Sequence, residues 1–215
     1  MYLIYKNMGI ALSVSAVVAF VVGNSPFLIR LFFSNVLIAL LVQLAPLFFV
    51  FNFSKTLFTS SVAEAKNKLY IFAGLMGLSL STVFLVYTKQ SIVETFLTTA
   101  ATFGGMSLYG YTTKKDLSSL TSFLYMGVMG LFIASIVNMF VRSSSMSYTM
   151  SCIGVVLFTL YTAYDVQKLR NMHNYISLSG DVREKMAVFG ALELYVDFIN
   201  LFMSLLRILN SRDRE

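Results

Sequence analysis

The chain has 215 residues, of which 57% are hydrophobic and only 12% charged, with a mean hydropathy of +0.76. A soluble domain of this length carries about a quarter charged residues, so the composition excludes a soluble globule and points to an integral membrane protein. The net charge of +6 sits mostly in short gaps between apolar runs, where basic residues set orientation and meet anionic lipid headgroups; no nucleic-acid partner is expected.

The apolar runs are of helical length, which excludes an outer-membrane barrel built of alternating segments and makes the fold class all-α. Residues 8–23 form the first run, preceded by Lys6. Its charge and length resemble a signal peptide. No small-x-small cleavage site leads into a polar region, however, and a second apolar run follows at once, so it reads as a retained first helix. Asn24, Ser25 and Pro26 mark a turn. Residues 31–53 are the second span, with Gln43 and Pro46 inside it. The proline is expected to kink this helix, and Gln43 to hydrogen-bond to a neighbouring one.

The connector 55–68 holds Lys55, Glu64, Lys66 and Lys68. Its SSVAEAK stretch is expected to start a helix capped by Ser60 or Ser61. Residues 69–87 and 92–111 are the third and fourth spans, with glycines and serines that let helices approach closely in lipid. Glu94 reads as an interfacial charge near a helix N-terminus. After the basic loop TTKKD, residues 117–141 form the fifth span, with Asn138 near its end. Residues 147–169 form the sixth and finish in TAYDVQKLR. The single Cys152 makes no intramolecular disulfide, and the lone His173 offers no zinc or haem site, so no cofactor is expected.

Residues 187–209 read AVFGALELYVDFINLFMSLLRIL and are long enough to cross a ~30 Å hydrocarbon core at ~1.5 Å per residue. They nevertheless carry Glu193, Asp197 and Arg207. A carboxylate at such depth faces a protein interior or a water-filled path. This last helix is therefore expected to be central, enclosed by the others in one domain, 1–215, of seven transmembrane helices. The N-terminus and the connectors after spans two, four and six hold the larger share of Lys and Arg, which places the N-terminus in the cytoplasm.

On that topology the sixth span ends near Asp165 at the cytoplasmic face, and Asp197 lies roughly 18 Å in from the same face. Glu193, one turn before Asp197, shares its helical face. Carboxyls that converge in a low-dielectric bundle cannot all ionise. Such a pair can hold one proton between its members, and losing it creates repulsion able to move helices. Carboxylate oxygens are also the ligands that a hard cation such as Ca²⁺ prefers. The plainer alternatives are that Asp165 is an interfacial aspartate facing water and that Glu193 is structural. Arg207, about 15 Å along the axis from Asp197, is either an interior ion-pair partner of another group or a snorkelling anchor.

The segments FGALELYVDFINLFMSLLRIL, TAYDVQKLR and GYTTKKDLSSL resemble the Bax inhibitor-1 family (transmembrane Bax inhibitor motif proteins), particularly its bacterial members, and the likeness runs from the first span to Arg207. The resemblance implies a seven-helix fold with the last helix at its centre. It also implies a pH-sensitive Ca²⁺ leak in a bacterial inner membrane. Asp165 of AYDVQ and Asp197 of LYVDFIN would be its di-aspartyl sensor and gate, touching the permeant ion transiently. The family arginine maps onto Arg207. Members often carry a glutamate in the second span to pair with it, whereas the nearest residue here is the uncharged Gln43. Lys55 stands where some members have an arginine, without the fork geometry.

Two other readings compete. One is a non-transporting regulator that binds a membrane protease or a stress-pathway partner, docking through the glycine-bearing third and fourth spans. The other is an intramembrane aspartyl protease, which needs G-x-G-D around its second aspartate and Pro-Ala-Leu downstream. The context here is YVDF with no Pro-Ala-Leu after it, so no enzymatic activity is expected.

Overall fold

A computed structural model describes residues 1–56, 60–175 and 180–210, and the regular structure among them is entirely helical. In chain order it comprises α1 (Tyr2–Gly23), α2 (Pro26–Phe33), α3 (Val36–Thr56), α4 (Val62–Leu80), α5 (Val83–Val86) and α6 (Lys89–Thr112). A 3-10 turn at Ser118–Leu120 then leads into α7 (Thr121–Val141), α8 (Ser144–Tyr175) and α9 (Gly180–Leu209).

Among the described residues, five stretches are long and apolar enough to cross a membrane: α1, α4 with α5, α7 with the 3-10 turn before it, α8 and α9. A sixth is reached if α2 and α3 count as one span, although the two are bent by 92°. The expectation of one helix over residues 31–53, kinked at Pro46, is therefore corrected. The helix breaks at Ser34 and Asn35, not at Pro46, which lies inside α3. The cause is local: the Asn35 side chain accepts a hydrogen bond from the Leu37 N–H at 2.8 Å, which starts a new helix there. The helix expected over residues 92–111 exists as α6, but it is not among the five, because Thr, Ser and Gly residues and Glu94 dilute its apolar content.

The chain divides into two compact units, Met1–Thr88 with Ile176–Tyr195, and Lys89–Tyr175 with Val196–Glu215. In the first unit, α1 packs along α4. Ile4, Met8, Ala11, Ser15, Ala19 and Val22 are buried at spacings of three or four, the seam of two helices packed nearly in line. Gly77 permits this approach, since a Cβ there would meet the Ser15 carbonyl oxygen at 2.6 Å. The start of α4 carries the expected cap. Ser61 Oγ accepts from the Glu64 N–H, and Glu64 Oε2 accepts from the Ser61 N–H at 3.0 Å. Gln43 also meets the neighbour expected of it: Ser79 Oγ donates to Gln43 Oε1 at 2.6 Å, and Gln43 Nε2 donates to the Ser79 carbonyl at 3.2 Å.

In the second unit, α8 packs on both α6 and α7. Asn138 ties the turn between α7 and α8, accepting from the Ser143 N–H and donating to Ser147 Oγ at 2.6 Å, while Arg142 takes the left-handed conformation with φ 55°. Of the α7 residues only Leu124 is buried. Phe123, Met126, Phe132, Ile133 and Phe140 are exposed, as an apolar helix surrounded by lipid requires. The last helix is the opposite case: 61% of its most apolar stretch is buried, against 39% or less in the other four.

Candidate functional site

Asp165 on α8 and Asp197 on α9 both belong to the second unit, and they are 6% and 5% exposed. What brings them together is a close approach of α8 and α9 at Gly154, where a Cβ would sit 2.6 Å from Ser204 Oγ. From that contact Tyr161 lies seven residues forward along α8, and Asp197 seven residues back along α9. Seven residues return to the same helical face, so Tyr161 and Asp197 come level on the facing sides of an antiparallel pair. The Tyr161 ring is accordingly within electrostatic range of Asp197, and of Asp165 one turn further on. The two carboxyls thus fall within about one turn, ~6 Å along the axis, on facing helices. Lys168 Nζ lies 3.9 Å from Asp165 Oδ1, so the outer end of the site carries a cation.

The sequence motifs around Asp165 turn out to be physically joined. Gly110 of GYTTKKD lies against the backbone of Ala163 in TAYDVQKLR; a Cβ there would be 2.8 Å from Ala163 Cα and closer still to its carbonyl oxygen. Beyond it, the 5% exposed Gln167 clamps the loop. Its Oε1 accepts from the Leu117 N–H at 2.8 Å and its Nε2 donates to the Lys115 carbonyl at 2.7 Å. The Arg170 guanidinium donates to the carbonyls of Tyr111 and Thr113, two acceptors left over at the end of α6. In the same loop, hydrogen bonds from Ser118 hold the Asp116 carboxyl below its ordinary pKa. Gly110, Gln167 and Arg170 therefore fix the helix that carries Asp165. None of them was marked by charge-at-depth reasoning, because two are uncharged and the third lies at a helix end.

The remaining candidates have the following surroundings. Glu193 belongs to the stretch of α9 in the first unit and is half-buried. Its neighbour there, the fully buried Tyr195, packs edge-on against Phe72 and hydrogen-bonds through its hydroxyl to Ser15 Oγ at 2.6 Å. Ser15 has one proton to give, and Ala73 O at 2.7 Å is its nearest carbonyl, so Tyr195 is the donor to Ser15. Arg207 is exposed and makes no ion pair among the described residues. Gln43 is engaged with Ser79. The side chains of Lys55 and His173 lie outside the described residues. Among those residues, no group of three or more His, Cys, Asp or Glu side chains comes together as a metal site.

The family model described as "Inhibitor of apoptosis-promoting Bax1" matches residues 1–214. The inner membrane protein YbhL of Escherichia coli strain K12 is 40% identical over 211 residues, covering 97% of this chain and 90% of its own. A Borreliella burgdorferi protein is 42% identical over 209 residues, again covering 97% and 90%. A membrane protein of Streptococcus pyogenes is 38% identical over 162 residues, covering 73% of this chain and 70% of its own.

Proposed function

Because this chain belongs to the Bax inhibitor-1 family, we propose that it is a calcium leak of a bacterial inner membrane, opened and closed by the protonation of Asp165 and Asp197. The observation that carries the reading is the burial of these two carboxyls on facing helices within about one turn. With one proton between them, the pair is a hydrogen bond that holds α8 to α9. Without it, two like charges about 6 Å apart repel by roughly 3 kcal/mol at an effective dielectric constant near 20. That is enough to shift a two-state packing by about a hundredfold.

Calcium enters this account as cargo. Two carboxylates fall well short of the 6–8 oxygen ligands, about, that a resident Ca²⁺ takes, so the ion passes them while keeping much of its water. Lys168 beside Asp165 attenuates the local negative charge, which lowers the holding power of the pair without abolishing it. The reading includes a single domain over residues 1–215 of seven transmembrane helices with the N-terminus in the cytoplasm, α6 being the crossing whose polar content hides it. Arg207 anchors the far end of α9 at the opposite interface.

The test is Ca²⁺ efflux from proteoliposomes as a function of pH. The wild-type protein is expected to give pH-dependent flux, and Asp165→Asn and Asp197→Asn to abolish that dependence. Flux with unaltered pH dependence in both variants sinks the proposal. No flux from the wild type, together with co-purification of a membrane protease or another membrane protein that survives both substitutions, replaces the leak with the non-transporting regulator.

A further inference from the structure

The second unit holds buried hydroxyls that neither the fold nor the acidic pair uses. On α6, Thr95, Thr99 and Ser107 are 1%, 0% and 6% exposed, on the same face as Phe103 and Gly110. Thr99 donates to the Thr95 carbonyl at 2.7 Å, an ordinary bond back along the helix. The hydroxyls of Thr95 and Ser107 are buried and have no hydrogen-bond partner, and the same is true of Thr159 on α8. A buried hydroxyl without a partner costs about 1–3 kcal/mol, so these three, two on α6 and one on α8, need something to bond to.

Their placement says where that something would be. The contact of Gly110 with Ala163, followed by those of Tyr111 and Thr113 with Arg170, shows α6 and α8 running in the same direction. Ser107, three residues before Gly110, and Thr159, four before Ala163, therefore come level. That level is two residues from Tyr161 on α8, beside Asp197. Phe198, next to Asp197, packs its ring 5.5 Å from those of both Phe96 and Phe103. The hydroxyl-bearing face of α6 thus lies against α9 as well as α8. From Asp165 through Ser107 and Thr159 to Thr95, the polar groups extend about 25 Å along the helix axes, most of a hydrocarbon core.

We infer that the α6 face formed by Thr95, Thr99 and Ser107, together with Thr159, is the wall of a hydrated route that leads cations and their water to and from the acidic pair. This rests on the leak reading for the identity of the cargo, but not for the presence of water. Hydroxyl oxygens accept from water and coordinate hard cations without holding them, as a conduction path requires. It also explains why a crossing helix is this polar: its Thr and Ser residues at spacings of four and eight face inward, whereas Val93, Leu97 and Leu108 are exposed on its outer side.

The experiment is thiol accessibility in proteoliposomes, across pH, with a cationic water-soluble methanethiosulfonate reagent and the Cys152→Ser protein as background. Ser107→Cys and Thr159→Cys, both close in size to the native residues, are expected to react at least about tenfold faster than Leu97→Cys on the outer face of α6. In parallel, Ser107→Ala combined with Thr159→Val is expected to slow Ca²⁺ efflux about tenfold while leaving its pH midpoint in place, the size of one lost hydrogen bond at a barrier. Labelling of Ser107→Cys and Thr159→Cys no faster than Leu97→Cys overturns the route, even where pH-dependent flux persists and the leak reading stands. Fast labelling without any Ca²⁺ flux keeps the hydrated route and removes calcium as its cargo.

Discussion

Gly110→Ala tests the contact that positions Asp165. The added Cβ would lie 2.8 Å from Ala163 Cα, and closer to the Ala163 carbonyl oxygen. Non-bonded carbons settle at about 3.5–4.0 Å, so the two helices must part by roughly 0.7–1.2 Å. The obstructing atoms are backbone and cannot rotate aside, which puts the cost at the upper end of overpacking, about 3 kcal/mol. Alanine returns about 1 kcal/mol of helix propensity, leaving a net loss of about 2 kcal/mol. For a chain of this size that lowers the Tm by about 4–8 °C. Gly104, on the same helix, has nothing within 4 Å of its Cβ position, so Gly104→Ala is expected to be neutral or to gain up to about 1 kcal/mol. Thermal unfolding of the two variants and the wild type in one detergent decides the matter. A Gly110→Ala protein as stable as wild type, or one no worse than Gly104→Ala, refutes the close packing of α6 on α8.

Tyr195→Phe removes one buried hydrogen bond while Ser15 keeps its bond to Ala73, so a loss of about 1 kcal/mol is expected in the same unfolding assay. Ser15→Ala strands the Tyr195 hydroxyl and is expected to cost more, about 1–3 kcal/mol; the reverse order contradicts the assigned donor. Gln167→Leu leaves the Leu117 N–H and the Lys115 carbonyl without their partner, and a loss of about 2–5 kcal/mol is expected, with faster hydrogen exchange at Leu117. A double-mutant cycle on Lys66 and Glu184, a pair 2.6 Å apart and half-exposed, is expected to give a coupling below about 1 kcal/mol that fades with salt.

Most of the helices were legible because an apolar run bounded by charge has few alternatives in lipid. The Ser61 cap was legible because its Ser-x-x-Glu spacing is local. The break at Ser34 and Asn35 was not, since apolar residues flank it on both sides and a single asparagine cap has to be weighed against a nearby proline. Asp165 and Asp197 stood out because a carboxylate inside an apolar run is costly wherever it points. Tyr161, Tyr195 and Gln167 carry no such mark. One more tyrosine among 12, or a glutamine near a helix end, gains meaning only from what the fold places opposite it. A sign of the hydroxyl face of α6 was present in the spacing of Thr95, Thr99 and Ser107, but glycines and serines in a span are equally the mark of close helix packing. Burial without hydrogen-bond partners is what separates the two meanings.

The central claim is that Asp165 and Asp197 hold one proton between them. It is tested most directly by a carboxyl-carbon NMR titration of the two residues in lipid nanodiscs, each identified by its asparagine variant. The account predicts two coupled steps in which both signals move together, and a single simple step at the remaining residue when either is changed to asparagine. Two independent steps near about 3.9, the ordinary value of an aspartate in water, would contradict it.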